Sequence, residues 1–287
     1  MRYYQLRRQD ESVLAAVTES AAYDLTSVKP ALDSFESLAR TADITDESLD
    51  EVAAPHLGRA DSLPMDELDE HSTLPLAVDE VWAAGVTYRI SEEARAEESD
   101  MPEMYLDVYD ADRPELFFKA TGARTVGPDD AIGIRGDSDW NVPEPELGVV
   151  LYRGDTVGYT IGNDVSSRAI EGTNPLYLPQ AKIYDRCCSV GPCVATGVSE
   201  PHALEMSMTI SRDGDPVYEE TTTTAEMVRT CEELVSYFTR HNAVPDLTVL
   251  LTGTSLVPEE GFTLRSGDHV TIDIEEIGTL SNPVVGV

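Results

Sequence analysis

"NVPEPELGVVLYRGDTVGYTIGNDVSSRA", residues 141–169, decides how this chain is read. Two runs rich in β-branched and apolar residues flank "RGD", the pattern of an antiparallel hairpin. With the turn centred on Gly154, Glu144 falls opposite Asp164 and Glu146 opposite Gly162. Cross-strand partners point to one face, and so do residues two apart along a strand. Glu144, Glu146 and Asp164 are therefore expected to gather on one face at the open end of the hairpin. Glu144 and Glu146 stand about 6.5 Å apart at Cα, a gap that long side chains can close. A one-residue bulge would break this geometry.

Three converging carboxylates beside apolar strands repel one another, and a divalent cation removes the repulsion. All-oxygen ligation suits Mg²⁺, Mn²⁺ or Ca²⁺ rather than zinc, and Mg²⁺ keeps waters that substrate oxygens can replace. The plain alternative is a trio of solvated strand-end acids in an acidic protein.

Acid is abundant throughout the 287 residues: 54 Asp and Glu against 20 Lys and Arg, a net charge of −34. Such a surface repels nucleic acid and anionic lipid, so neither is an expected partner. The acid is spread along the chain, as in a protein that lives in concentrated salt, where self-repulsion is screened. No apolar run reaches the length of a membrane span, and the start "MRYYQLRRQDESV" has no signal-peptide core; a cytoplasmic protein is expected. Cys187, Cys188, Cys193 and Cys231 form no CxxC pair and read as reduced, buried thiols. Lysine occurs only at positions 29, 119 and 182. Lys119 in "ELFFKATG" and Lys182 in "YLPQAKIY" sit in weakly charged surroundings, where a lysine can move protons and an arginine cannot. For each the plain alternative is a snorkelling or paired structural lysine.

The organisation reads as α+β: a small N-terminal α/β lobe over residues 1–78, then a β-rich part over 79–287. "SEEARAEE", 91–98, predicts a short charged helix that could cover a site. "ELFFKAT" predicts a buried strand, and "EMSMTISR" and "PVYEETTTT" a second hairpin around "DGD". A helix is expected with Met227, Cys231, Leu234, Val235 and Phe238 on one face, and "DHVTIDIEEIGTL" alternates like a strand. No phosphate-binding glycine loop occurs.

An ordered series of motifs carries a resemblance. Glu144 and Glu146 form "ExE", and "NDxSxR" follows with Asn163, Asp164, Ser166 and Arg168. "TGT" at Thr252, Gly253 and Thr254 comes next, then "GDHVTIDIEEIGTLSNPV" from Gly267 to Val284. Over residues 80–287 this resembles the fumarylacetoacetate hydrolase superfamily. The resemblance implies a mixed β-roll and a Mg²⁺ (or Mn²⁺) ion held by Glu144, Glu146 and Asp164. "DADRPELFFKATGARTVG", "DSDWNVPEPELGVVL" and "NPLYLPQAKIYDRCCSVGP" look like the superfamily branch that dehydrates 2-keto-3-deoxy-pentonates. Where hydrolytic members carry a water-activating histidine after "GxNYxxH", this chain's "GVTYRIS" puts Ser91, and His56, His71, His202, His241 and His269 lie in no motif. A dehydratase needs no external water.

The resemblance implies loss of water from a small 2-keto acid, giving 2,5-dioxopentanoate. Lys182 is the leading proton-transfer group, its pKa expected to be depressed by burial and metal. Glu115 is its candidate partner, and which of the two is the base stays open. Thr254 is the expected carboxylate contact, Phe118 and Pro179 pocket walls, and Arg168 a support for a metal ligand. Lys119 is a substrate contact or a balance for the carboxylate charge, and Arg89 with the stretch after it a cover. Family habit implies a homodimer or homotetramer. An acylpyruvate hydrolase, an oxaloacetate decarboxylase and a non-catalytic acidic metal-binding protein remain alternatives.

Overall fold

A computed structural model describes every residue except 9, 10, 89–107, 109, 110 and 260. The expected helix at 91–98, Ser91 and Arg89 therefore lie outside the described residues. In chain order the strands and helices begin with β1 (Arg2–Arg8), β2 (Glu11–Val17), β3 (Ala22–Asp24), α1 (Leu25–Val28), α2 (Phe35–Thr45) and α3 (Leu49–Leu57). Then come β4 (Asp61–Leu63), α4 (Asp66–His71), β5 (Glu80–Gly85), β6 (Glu115–Thr121), β7 (Thr125–Val126), β8 (Ile132–Ile134) and β9 (Asn141–Val142). The hairpin β10 (Pro145–Tyr152) and β11 (Asp155–Asp164) follows, with β12 (Ser166–Ser167), α5 (Arg168–Thr173), α6 (Leu178–Lys182) and β13 (Cys188–Ala195). The chain closes with β14 (Glu205–Arg212), β15 (Asp215–Thr223), α7 (Cys231–Thr239), β16 (Leu247–Leu251), β17 (His269–Ile274) and β18 (Gly278–Gly286).

Among the described residues one large sheet runs β4-β3-β2-β1-β13-β11-β10-β16-β5-β6, with β7 beside β13, and a second runs β15-β14-β17-β18-β8. The N-terminal strands join the large sheet through the antiparallel pair β1–β13. The large sheet is covered on both faces. On one, Phe35, Leu38, Val52 and Ala53 from α2 and α3 pack on Val150, Val190 and Val249. On the other, Leu147, Val149 and Ile161 meet Met206, Met208 and Ile272 of the second sheet and Leu234 and Phe238 of α7. This explains why β10 is buried at every residue and reads as a continuous apolar run. All four cysteines are free and buried, and no helix is long and apolar enough to cross a membrane among the described residues.

The decisive hairpin has the expected register at its open end, reached by an unexpected route. Arg153 and Gly154 form a two-residue turn with φ of 53° and 97°, the type I′ geometry that matches strand twist. That turn pairs Tyr152 with Asp155 and Leu151 with Thr156, and would carry Glu144 to Asn163. A bulge at Val157 shifts the register by one residue, so Glu146 pairs with Gly162 and the Asp164 amide donates to the Glu144 carbonyl at 2.9 Å. The bulge thus creates the shared face of the carboxylates instead of breaking it.

Three other expectations shift. Strand β6 is an edge strand, buried only at Lys119 and Ala120. Helix α7 starts at Cys231 because Thr230 caps it, its side chain accepting from the Glu233 amide; Met227 precedes the helix. The alternating stretch after Asp268 is two strands, β17 and β18, divided by a turn in which Glu276 has φ of 66°. The hairpin β14–β15 forms as expected.

Candidate functional site

Glu144, Glu146 and Asp164 reach one point from the start of β10 and the end of β11, each at most 2% exposed. One oxygen from each lies within 4.8 Å of the other two. A small cleft opens onto them, bordered also by Lys182, Arg168, Phe117, Gly85 and Thr254.

Each carboxylate has its own support. The Lys182 ammonium donates to Glu144 Oε2 at 2.6 Å, Asp164 Oδ2 at 3.0 Å and Ser166 Oγ at 2.6 Å. Arg168, at the start of α5, pairs with Glu144 Oε1 at 3.0 Å. Asn163 Oδ1 accepts from the Glu144 amide at 3.1 Å. Glu146 accepts from the Gly253 amide at 2.5 Å. Gly253 holds φ of 88°, and a Cβ there would stand 2.0 Å from Thr87 Oγ1, so glycine is required for that approach. Thr254 is buried, and its hydroxyl accepts from the Leu256 amide at 3.0 Å.

Charge follows burial. Desolvation, with Asp164 and Glu144 beside it, holds Glu146 well above the usual carboxylate range despite the Gly253 amide and Lys182. Burial pulls the Lys182 ammonium down, but Asp164, Glu144 and Glu171 outweigh it and leave its pKa raised. The depression expected from burial is thus overcome by the carboxylates. The carboxylates surround the ammonium so closely that its charged form is the favoured one.

The donor set fits Mg²⁺. All three groups are carboxylates, the hard oxygen donors that Mg²⁺ takes, and one oxygen of each already lies within 4.8 Å of the others. Burial first, and then the crowding of Asp164 and Glu144, raises the Glu146 pKa, and a divalent cation among the three carboxylates would relieve the repulsion.

The remaining expected residues divide. Glu115 lies at the cleft edge, its Oε2 packed over Gly85 where a Cβ would come within 1.9 Å. Phe118 is turned away, its ring edge-on to Trp82 at 5.6 Å. Its neighbour Phe117 borders the cleft instead, 5.3 Å from the Lys182 ammonium, because β6 alternates. Pro179 is exposed on α6 and does not line the cleft. Lys119 is no substrate contact: its ammonium lies behind the carboxylates, bonded to Asp164 Oδ1 and two backbone carbonyls. None of the five histidines borders the cleft. Sequence reasoning assigned nothing to Phe117, to Ser166 or to the Gly253 amide. Ser166 and Gly253 stood within the quoted motifs, and strand parity could have pointed to Phe117.

Residues 80–285 match the family described as fumarylacetoacetate hydrolase, C-terminal. The chain belongs to that family. It is 63% identical, over 100% of both chains, to the Haloferax volcanii protein named "Probable 2-keto-3-deoxyxylonate dehydratase". It is 45% identical to 2-dehydro-3-deoxy-D-arabinonate dehydratase of Saccharolobus solfataricus, over 75% of each chain. A solved structure of 2-keto-3-deoxy-D-arabinonate dehydratase, complexed with magnesium and 2,5-dioxopentanoate, is similar at a TM-score of 0.85 and 34% identity. The match covers 100% of this chain and 99% of that one.

Proposed function

We propose that this protein is a metal-dependent dehydratase that converts a 2-dehydro-3-deoxy-pentonate to 2,5-dioxopentanoate and water. The observation that carries the reading is the meeting of Glu144, Glu146, Asp164 and Lys182 in one cleft of a chain so similar, end to end, to pentonate dehydratases. Glu144, Glu146 and Asp164 hold Mg²⁺, which when bound supplies a Lewis acid for the carboxylate and 2-keto oxygens of the substrate. Thr254 faces the substrate carboxylate, and Phe117 gives the cleft an apolar wall that excludes water.

The chemistry needs no oxidant. A proton leaves C3 and the C4 hydroxyl departs as water, giving a double bond conjugated to the ketone. Proton transfers from C5 and from its hydroxyl to C3 and C4 then turn the C5 carbinol into an aldehyde. Lys182 is gripped by three acceptors and favoured as a cation, which supports it as a stabiliser of negative charge; its raised pKa makes it a weak acid, and its part as proton donor rests on its place among the metal ligands in the cleft. Glu115, whose carboxylate packs beside Gly85 at the border of the cleft, is then the base. Arg168 keeps Glu144 oriented.

In this reading residues 79–287 form the catalytic part and 1–78 a smaller N-terminal part. The protein works in the cytoplasm as a homodimer or homotetramer. The charge of −34 is an adaptation to concentrated salt. Activity should fall on dialysis into dilute buffer, and full activity with an unchanged melting temperature there would refute the salt adaptation.

The test is an assay in high salt with 2-keto-3-deoxy-pentonate and Mg²⁺, with and without EDTA, beside Glu146→Gln. The expected result is metal-dependent 2,5-dioxopentanoate, lost in the variant. Turnover of an acylpyruvate or of oxaloacetate instead would replace the reading with a hydrolase or decarboxylase. Metal binding without any turnover would leave a binding protein.

A further inference from the structure

Lys119 does not border the cleft, yet it is a charged side chain with 0% exposure. Its ammonium has three oxygens around it: Asp164 Oδ1 in an ion pair at 2.5 Å, and the Val165 and Lys182 carbonyls, which accept its hydrogen bonds at 2.8 Å and 2.6 Å. Lys182 grips the other oxygen of the same aspartate at 3.0 Å. Asp164 is therefore held on both oxygens by two lysines, and one of these also holds the backbone of the other.

We infer that Lys119 is a positioning residue: it ties Asp164 to the backbone that carries Lys182 and so sets the spacing between metal ligand and proton donor. The inference rests on the proposed function. The geometry explains why the position needs a lysine. An apolar residue of similar volume would pack without the cost of burying a charge. A planar guanidinium fork cannot meet three acceptors arranged around a point. The acceptors come from separate segments: Asp164 and Val165 at the end of β11, and Lys182 as the last residue of the five-residue helix α6. So short a helix has little rigidity of its own, and Lys119 fastens its end. Tyr184 strengthens the same junction, its hydroxyl donating to the Val165 carbonyl at 2.9 Å and its ring 5.7 Å from the Lys119 ammonium.

The experiment compares wild type, Lys119→Met and Leu234→Ala, a core truncation on α7 away from the cleft. Calorimetry reads Mg²⁺ affinity without substrate, and kinetics read kcat and KM at saturating Mg²⁺. Lys119→Met is expected to weaken Mg²⁺ binding and to lower kcat, each roughly 10–100-fold, with KM little changed. Leu234→Ala should lose melting temperature while keeping Mg²⁺ affinity and kcat. If Lys119→Met behaves like Leu234→Ala, the inference is overturned. Should Lys119→Met fail to fold, Lys119→Arg keeps the charge but not the three bonds. Weakened Mg²⁺ binding with lowered kcat in Lys119→Arg supports positioning, and Mg²⁺ affinity and kcat both equal to wild type overturn it. Calorimetry needs no substrate, so a wild type that binds Mg²⁺ without dehydrating pentonate would sink the proposed function and still leave this readout.

Discussion

Replacing Lys182 with methionine tests the site through stability as well as rate. The side chain is 1% exposed and its ammonium serves Glu144, Asp164 and Ser166. Methionine fills a similar volume but leaves two buried carboxylates facing each other without that cation. Removing one partner from a buried ionic group costs about 3–5 kcal/mol. At about 2 °C per kcal/mol for a chain of this size, melting should fall by roughly 6–10 °C in EDTA. Mg²⁺ at a hundred times its Kd adds about 2.7 kcal/mol to a protein that binds it. In the variant no ammonium competes for Glu144 Oε2 and Asp164 Oδ2, so its Mg²⁺-induced rise should exceed that of wild type. Turnover should drop roughly 10²–10⁴-fold whether or not metal is added. The assay is thermal unfolding in high salt, with EDTA and with Mg²⁺, beside aldehyde formation. A melting temperature within 2 °C of wild type in EDTA, or a smaller rise with Mg²⁺, would refute the reasoning.

Ser166→Ala removes one acceptor of the Lys182 ammonium; a hydrogen bond to a charged group contributes about 1.5–3 kcal/mol, so denaturant unfolding should shift by that amount while the fold persists. Gly253→Ala forces a Cβ toward Thr87 in a left-handed backbone and should cost at least about 1–3 kcal/mol. It should also displace the amide that serves Glu146 and so weaken Mg²⁺ binding; calorimetric affinity equal to wild type would count against that link. Asp50, in the first turn of α3 and away from the cleft, supplies a pH test. Burial acts to raise its pKa, but hydrogen bonds from Thr196, the Met1 amine and Tyr3 hold it below the usual carboxylate value. A carboxyl depressed in the folded state contributes stability above its unfolded pKa and loses it as pH falls through the folded one. Asp50→Asn should therefore flatten the acid limb of the stability curve, read by melting temperature from neutral pH downward.

The resemblance in the motifs and the parity of the hairpin brought Glu144, Glu146, Asp164, Lys182, Arg168 and Thr254 into view from the chain alone. These residues were legible because side-chain direction repeats every two residues in a strand, and because the motif order is itself local information. Parity is also fragile. The two-residue turn at Arg153–Gly154 would have separated Glu144 from Asp164, and the Val157 bulge put them back on one face. A one-residue ambiguity of the same kind exchanged Phe118 for Phe117 on β6, where a bulge beside Trp82 and the choice of packing face settled the matter.

Charge was the larger gap. The residues that could carry protons were visible in the amino-acid order, but the state of Lys182 was not. Its pKa is raised by Asp164, 18 positions away, and Glu144, 38 positions away. Lys119 is bonded to a carbonyl 63 positions on, and Glu146 to an amide 107 positions on. Such contacts have no period and no spacing rule. The sequence by itself determined which groups could meet at one sheet end, because strand alternation is local. Only the folded chain decided which of them share a proton's environment, because electrostatic energy depends on separations of a few ångströms between segments that lie far apart along the backbone.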